Sequence, residues 1–121
     1  MTRGINLVVL DGNAAADPEL RRSAAGNPVC ILRLATNTDS RKREDGSWED
    51  VAVFHRCVIW GSLGEEAARQ VRKGDRVRVD GSLQTRKYQD RDGQERHITE
   101  VRVEAARWWP KRAERTNDLI F

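Results

Sequence analysis

The chain has 121 residues, 38% of them hydrophobic and 34% charged, which fits one compact domain with a short appendage and leaves too little for a second core. Its 22 Lys+Arg against 19 Asp+Glu give a net charge of +3, too small an excess to single out a polyanionic partner. Only four of the basic residues are lysines (Lys42, Lys73, Lys87, Lys111), and arginine, unlike lysine, stacks on flat rings as well as pairing with phosphate.

Cys30 and Cys57 form no CxxC pair, no apolar N-terminal run resembles a signal peptide, and no segment approaches membrane-spanning length. The expectation is a cytoplasmic, nucleoid-associated protein with reduced thiols and no membrane partner. A domain of this size is marginal alone, which favours association with copies of itself.

Residues 5–10 are rich in β-formers and end at Asp11-Gly12-Asn13, predicting a first strand bent or bulged near Gly12. Asp17-Pro18 opens a turn, and residues 21–27 read as a loop closed by Pro28. Residues 29–36, nearly all apolar, predict a largely buried second strand. Residues 37–50 lack apolar periodicity, contain Asp45-Gly46, and read as a long exposed hairpin loop.

Residues 51–60 predict the third strand, with Val53, His55, Cys57 and Ile59 on one face and Phe54, Arg56, Val58 and Trp60 on the other. A helix is predicted over 63–71, with Ser62 as N-cap, Glu65 at the capping-box position, and Gly74 as the stop. Residues 76–88 predict a long fourth strand, 89–94 a turn around Asp92-Gly93, and 95–103 the fifth strand.

The order β-β-β-α-β-β predicts an all-β fold: a five-stranded Greek-key barrel of the OB type with one short helix between strands 3 and 4. The barrel occupies residues 1–107, and residues 108–121 form a short C-terminal extension.

Binding an unpaired strand without regard to sequence needs cations along the phosphates and flat side chains under the bases. The fourth-strand hairpin supplies both in Arg86, Lys87, Tyr88 and, across its turn, Arg96. The third strand sets Phe54, Arg56 and Trp60 on one face. The plainer reading makes Phe54 and Trp60 core residues, but Arg56 lies between them and the opposite face already supplies an apolar side. Tyr88 could equally cover the barrel rim. The triplet Arg41-Lys42-Arg43 is nearly cancelled by Glu44, Asp45, Glu49 and Asp50 and reads equally as a solvated run.

His55, His97, Cys30 and Cys57 match no zinc spacing, so neither metal nor cofactor is expected. No Ser/His/Asp or Cys/His set and no phosphate-cradling loop emerges, so an enzyme is not expected.

An ordered set of motifs spans the barrel: Arg3-Gly4-Ile5-Asn6, Gly12-Asn13, Asp17-Pro18-Glu19, Leu34-Ala35-Thr36, Phe54-His55-Arg56, Trp60-Gly61, Lys73-Gly74, the run 81–88 (GSLQTRKY), Gly93-Gln94 and Thr99-Glu100-Val101. The set resembles the bacterial replication-type single-stranded DNA-binding proteins. The resemblance implies an OB subunit of a homotetramer that wraps single-stranded DNA during replication, recombination or repair.

It implies base stacking at Phe54, Trp60 and Tyr88, and backbone contacts from Arg3, Arg21, Arg56, Arg72, Lys73, Arg86, Lys87 and Arg96. It also implies a subunit interface including His55 and Asn6, with first strands pairing between subunits. Where the family has a further tryptophan this chain has Ser40, and Trp48 is the candidate replacement. The family's linker and acidic tail, which recruit replication and repair enzymes, have no counterpart before Asn117-Asp118-Leu119-Ile120-Phe121, so a short form without such recruitment is expected. Trp108-Trp109, with Lys111, Arg112 and Arg115, would pack against a neighbouring subunit or extend the DNA track. The alternatives are a primosome-type OB module working mainly through protein contacts, or an RNA-binding OB protein.

Overall fold

The computed structural model describes residues 3–111. Its elements are β1 (Val8–Ala14), β2 (Glu19–Arg22), β3 (Pro28–Lys42), β4 (Trp48–Trp60), α1 (Gly61–Gln70), β5 (Arg76–Gln89) and β6 (Glu95–Trp109). β1 runs antiparallel to β5 from Val8↔Gly81 to Asn13↔Arg76, then transfers to β3 at Asn13↔Ala35 and Ala14↔Leu34. β3–β4 and β5–β6 are antiparallel hairpins, joined where β4 meets β6 in parallel at Cys57↔Val101 and Val58↔Arg102. Five strands thereby close on themselves as an OB-type sheet, and short β2 pairs with the outer edge of β3.

Closure depends on Gly12. A Cβ there would stand 2.1 Å from the Ala35 carbonyl oxygen, so a side chain would hold β1 away from β3 at the point of transfer. The core inside the ring is built from Cys30, Leu32, Leu34, Cys57, Ile59, Val77, Val79, Val101 and Val103, with Ala67 and Val71 contributed from α1 and the residue after it.

Four local expectations are corrected. Residues 37–50 are not an open loop, because β3 continues to Lys42 and β4 starts at Trp48. Only the turn is left, with Arg43 N donating to Ser47 O at 2.7 Å and Gly46 at φ +89°. These strand ends extend beyond the core with water on both faces, so there is no apolar alternation to read. Cross-strand pairing such as Arg41 Nη2–Glu49 Oε1 at 2.7 Å binds them instead.

The capping box is also absent. Trp60 occupies the N-cap without a side-chain bond, and Glu65 lies 3.7 Å from Arg22. Finally, Arg21 and Arg22, expected in a loop over 21–27, belong to β2, which pairs with Pro28–Ile31, and β6 runs on past Val103. A bulge opposite Asp80/Gly81 lets β6 continue to Trp109 along the first half of β5.

Candidate nucleic-acid interface

Cross-strand register places one set of side chains on the outer face of β3–β4–β6–β5. Arg33 pairs with Arg56, Ala35 with Phe54, and Val29 with Trp60. Val58 aligns with Arg102, and on β5–β6 Gln84 pairs with Glu100, Arg86 with Ile98 and Tyr88 with Arg96. Alternation along each strand keeps these residues on the side opposite Leu32, Cys57, Ile59 and Val101. The face extends onto β2 through Arg21, which pairs with Val29 beside Trp60.

The aromatics of this face are not core residues. Phe54 is 52% exposed, Trp60 45% and Tyr88 43%. Trp48 is 65% exposed and falls on the same alternation of β4 as Phe54 and Trp60, because the extra residue of the irregularity between Thr36 and Asp39 lies on β3. At ~3.3 Å per residue, Trp48, Phe54 and Trp60 follow one another along β4 at intervals of about 20 Å. The Arg33 guanidinium carbon stands 4.4 Å from the Phe54 ring centroid, within cation–π range.

Glu100 is the buried acid of this face. It accepts from Arg56 Nε at 3.1 Å, from Arg86 Nε at 2.8 Å and from Gln84 Nε2 at 3.1 Å. Burial alone would raise its pKa, but the bonds from Arg86, Gln84 and Arg56, together with the Arg86 charge, hold it below the ordinary value.

The remaining expected phosphate contacts are distributed unevenly. Arg21 is on the face and forms an ion pair with Glu19 at 2.7 Å. Arg96 lies opposite Tyr88 and donates to Asp90 at 2.9 Å, and Lys87 Nζ is 3.3 Å from Glu95 on the opposite side of that hairpin. Arg3 is exposed ahead of β1.

Arg72 and Lys73 are not brought onto the four-strand face; they lie in the turn between α1 and β5. Arg72 Nη1 donates to the Ala68 and Val71 carbonyls at 3.2 and 2.7 Å, closing the helix end. The Arg41/Arg43 pair of the β3–β4 tip is bound to Glu49.

Asn6 uses its side chain as a strand would use its backbone, donating to Leu83 O and accepting from Leu83 N, both at 2.8 Å. His55 Nε2 lies 2.9 Å from Thr36 Oγ1 within the barrel wall. Trp108 packs against its own α1 rather than outward, donating from Nε1 to Gln70 Oε1 at 2.9 Å. The Arg76 guanidinium stands over the Trp109 ring at 5.1 Å, and Trp109 remains partly exposed. Arg112, Arg115 and the Asn117–Phe121 end lie outside the described residues.

Sequence reading missed Arg33, Arg102 and Glu100. Arg33 is the single charge in an apolar run, which was its one available signal. Glu100 and Arg102 alternate with buried Val101 and Val103, so their face could be read, but not the Glu100 partners on two other strands.

A closed OB-type sheet with exposed aromatics and arginines across one face has the make-up of a nucleic-acid-binding module. The model of the single-strand binding protein family matches residues 5–108, and the chain belongs to that family. It is accordingly a single-stranded DNA-binding protein. Among the described residues no helix is long and apolar enough to cross a membrane.

Proposed function

We propose that the chain binds single-stranded DNA without strong sequence preference across the β3–β4–β6–β5 face, protecting and organising it during replication, recombination or repair. Phe54, Trp60 and Tyr88 carry stacked bases, and Trp48 adds a platform at the hairpin tip. Arg56, Arg86, Arg21 and Arg96 follow the phosphates, with Lys87, Arg3, Arg72 and Lys73 contributing from the periphery. The observation that carries this reading is the set of large aromatics left exposed on the same face as Arg33, Arg56, Arg86 and Arg102. Every base has a flat face, so stacking of this kind tolerates any sequence.

The protein works as a homo-oligomer, a homotetramer, with His55 and Asn6 near the subunit contacts. Two features support self-association. Ile5, Leu7 and Val9 form an exposed apolar stripe, and β1 between Val8 and Gly12 pairs within the described chain only along its β5 side. An open edge beside an apolar stripe favours pairing with another copy.

The test is a titration of labelled oligo-dT and of a length-matched duplex at two salt concentrations, with oligo-rU in parallel. Tight binding to oligo-dT and far weaker binding to duplex is expected. Equal affinity for both DNAs, collapsing with salt, would replace this reading by generic attraction between charges.

A further inference from the structure

Glu100 is only 2% exposed, yet it lies on the outer face with the arginines, not among the core valines. Its position follows from the strands: Gln84 is directly opposite on β5, and Arg56 is alongside on β4, in step with the Cys57↔Val101 pairing. One carboxylate therefore receives two guanidiniums and an amide. The local balance of two positive charges against one negative leaves the cluster cationic.

Both arginines reach the carboxylate through Nε, and their side chains remain 30% and 46% exposed. An arginine anchored at Nε still carries its terminal pair of Nη groups as donors. A free arginine must give up rotamer freedom when it meets a ligand, and an anchored one has already done so.

We propose that Glu100 is a positioning residue of the DNA-binding face: it fixes Arg56 and Arg86 by their Nε groups so that their Nη groups together receive one backbone phosphate. A buried negative charge then strengthens binding to a polyanion. This inference rests on the reading of the face given above.

The sign of one substitution separates positioning from simple attraction. Glu100→Gln removes a negative charge and takes the chain from its net +3 one unit further positive, so attraction alone predicts tighter binding. Positioning predicts weaker binding, because an amide offers one acceptor and turns its own NH2 toward donors. Oligo-dT affinity of the full-length chain should fall on the order of tenfold, as for a lost hydrogen bond to a charged group, without a shallower salt slope. Arg86→Lys keeps the charge but has no Nε, and should weaken binding as much as Arg86→Ala.

The Glu100→Gln effect should also vanish when Arg56 and Arg86 are both alanine, whereas a merely structural Glu100 would still weaken binding there. Unchanged or tighter binding by folded Glu100→Gln overturns the inference. Should that variant not fold, Arg86→Lys decides, and wild-type affinity in it overturns the inference equally. Failure of the wild-type chain to bind oligo-dT would bring down the reading of the face itself. Tight wild-type binding with an indifferent Glu100→Gln brings down only the positioning role.

Discussion

The Arg33 guanidinium stands 4.4 Å from the centroid of the Phe54 ring, although the strand neighbour directly opposite Arg33 is Arg56 and not Phe54. The guanidinium leans across the hairpin and backs one side of the ring, while Phe54 remains half exposed. A base stacking on the open side would complete a guanidinium–ring–base sandwich. Phe54→Ala should therefore weaken oligo-dT binding by about 1–3 kcal/mol, the usual range for one stacking platform. Trp60→Ala should cost a similar amount. Isothermal titration checks both, and full affinity in Trp60→Ala would place the DNA elsewhere on the molecule.

The arginines differ in which of their groups are bound: Arg56 and Arg86 are held at Nε, whereas Arg41 gives both Nε and Nη2 to Glu49. Replacing Arg56, Arg86 or Arg102 by alanine should each flatten the salt slope of binding by about 0.7, the value for one phosphate contact on a single strand. Arg41, bound to Glu49 at 2.7 Å, should leave the slope as it is. Anisotropy titrations over a salt series measure both slopes, and a drop for Arg41→Ala equal to that for Arg56→Ala would extend the track to the β3–β4 tip.

The core and the aromatic face were legible in the sequence for the same reason. In residues 51–60 the period-two alternation survives intact, so Cys57 and Ile59 pointed one way and Phe54, Arg56 and Trp60 the other. The alternation gives out where both faces are wet: the β3 and β4 ends around Lys42 and Trp48 carry no apolar signal, so the sequence reads as a loop where Trp48 begins β4. The Glu100 cluster joins Arg56, Gln84 and Arg86 from two other strands. Its assembly depends on a parallel β4–β6 contact that no local pattern encodes. The bonds from Arg72 to the Ala68 and Val71 carbonyls depend on where the helix ends, which the local pattern places a residue or two away.

Gly64 tests how closely α1 seals the barrel. Alanine is favoured over glycine inside a helix by about 1 kcal/mol, which alone would make Gly64→Ala stabilising. A Cβ there, however, would stand 2.1 Å from the Ile59 carbonyl oxygen and 3.2 Å from Cys30 N, both backbone atoms that cannot swing aside. Overpacking of this kind costs about 1–3 kcal/mol, occasionally more, so the variant should be destabilised. Urea unfolding decides the matter, and a midpoint at or above wild type would show that α1 can shift outward at little cost.

Stability should fall with acid, and Glu100 should dominate that loss. Its carboxyl is held below the ordinary 4.5, so in the interval between the folded value and 4.5 the unfolded chain binds the more protons and stability rises with pH. The contribution is fully present above the ordinary value and is lost as pH falls through the depressed one. Asp11, Asp45, Glu49 and Asp90 are lowered in the same direction, but they are solvated and add little. In urea titrations across the acid range, Glu100→Gln should show a much shallower acid decline than wild type. An identical decline would assign it to the exposed carboxylates.

The two cysteines should be silent until the barrel opens. Burial pushes the Cys30 thiol up to about 11, and burial together with neighbouring Cys30 pushes Cys57 up to about 12. Both are fully buried on the core side of the β3–β4 hairpin, where Leu32 pairs with Cys57 and Cys30 with Ile59. Since the thiolate is the reactive species, a disulfide reagent at mildly alkaline pH should label neither residue in the folded protein and both in denaturant. Folded-state labelling should then follow the rate of opening and slow further when oligo-dT is bound, because a ligand that binds only the folded chain stabilises it. Prompt labelling at either cysteine would mean that the β3–β4 wall parts from the core without unfolding.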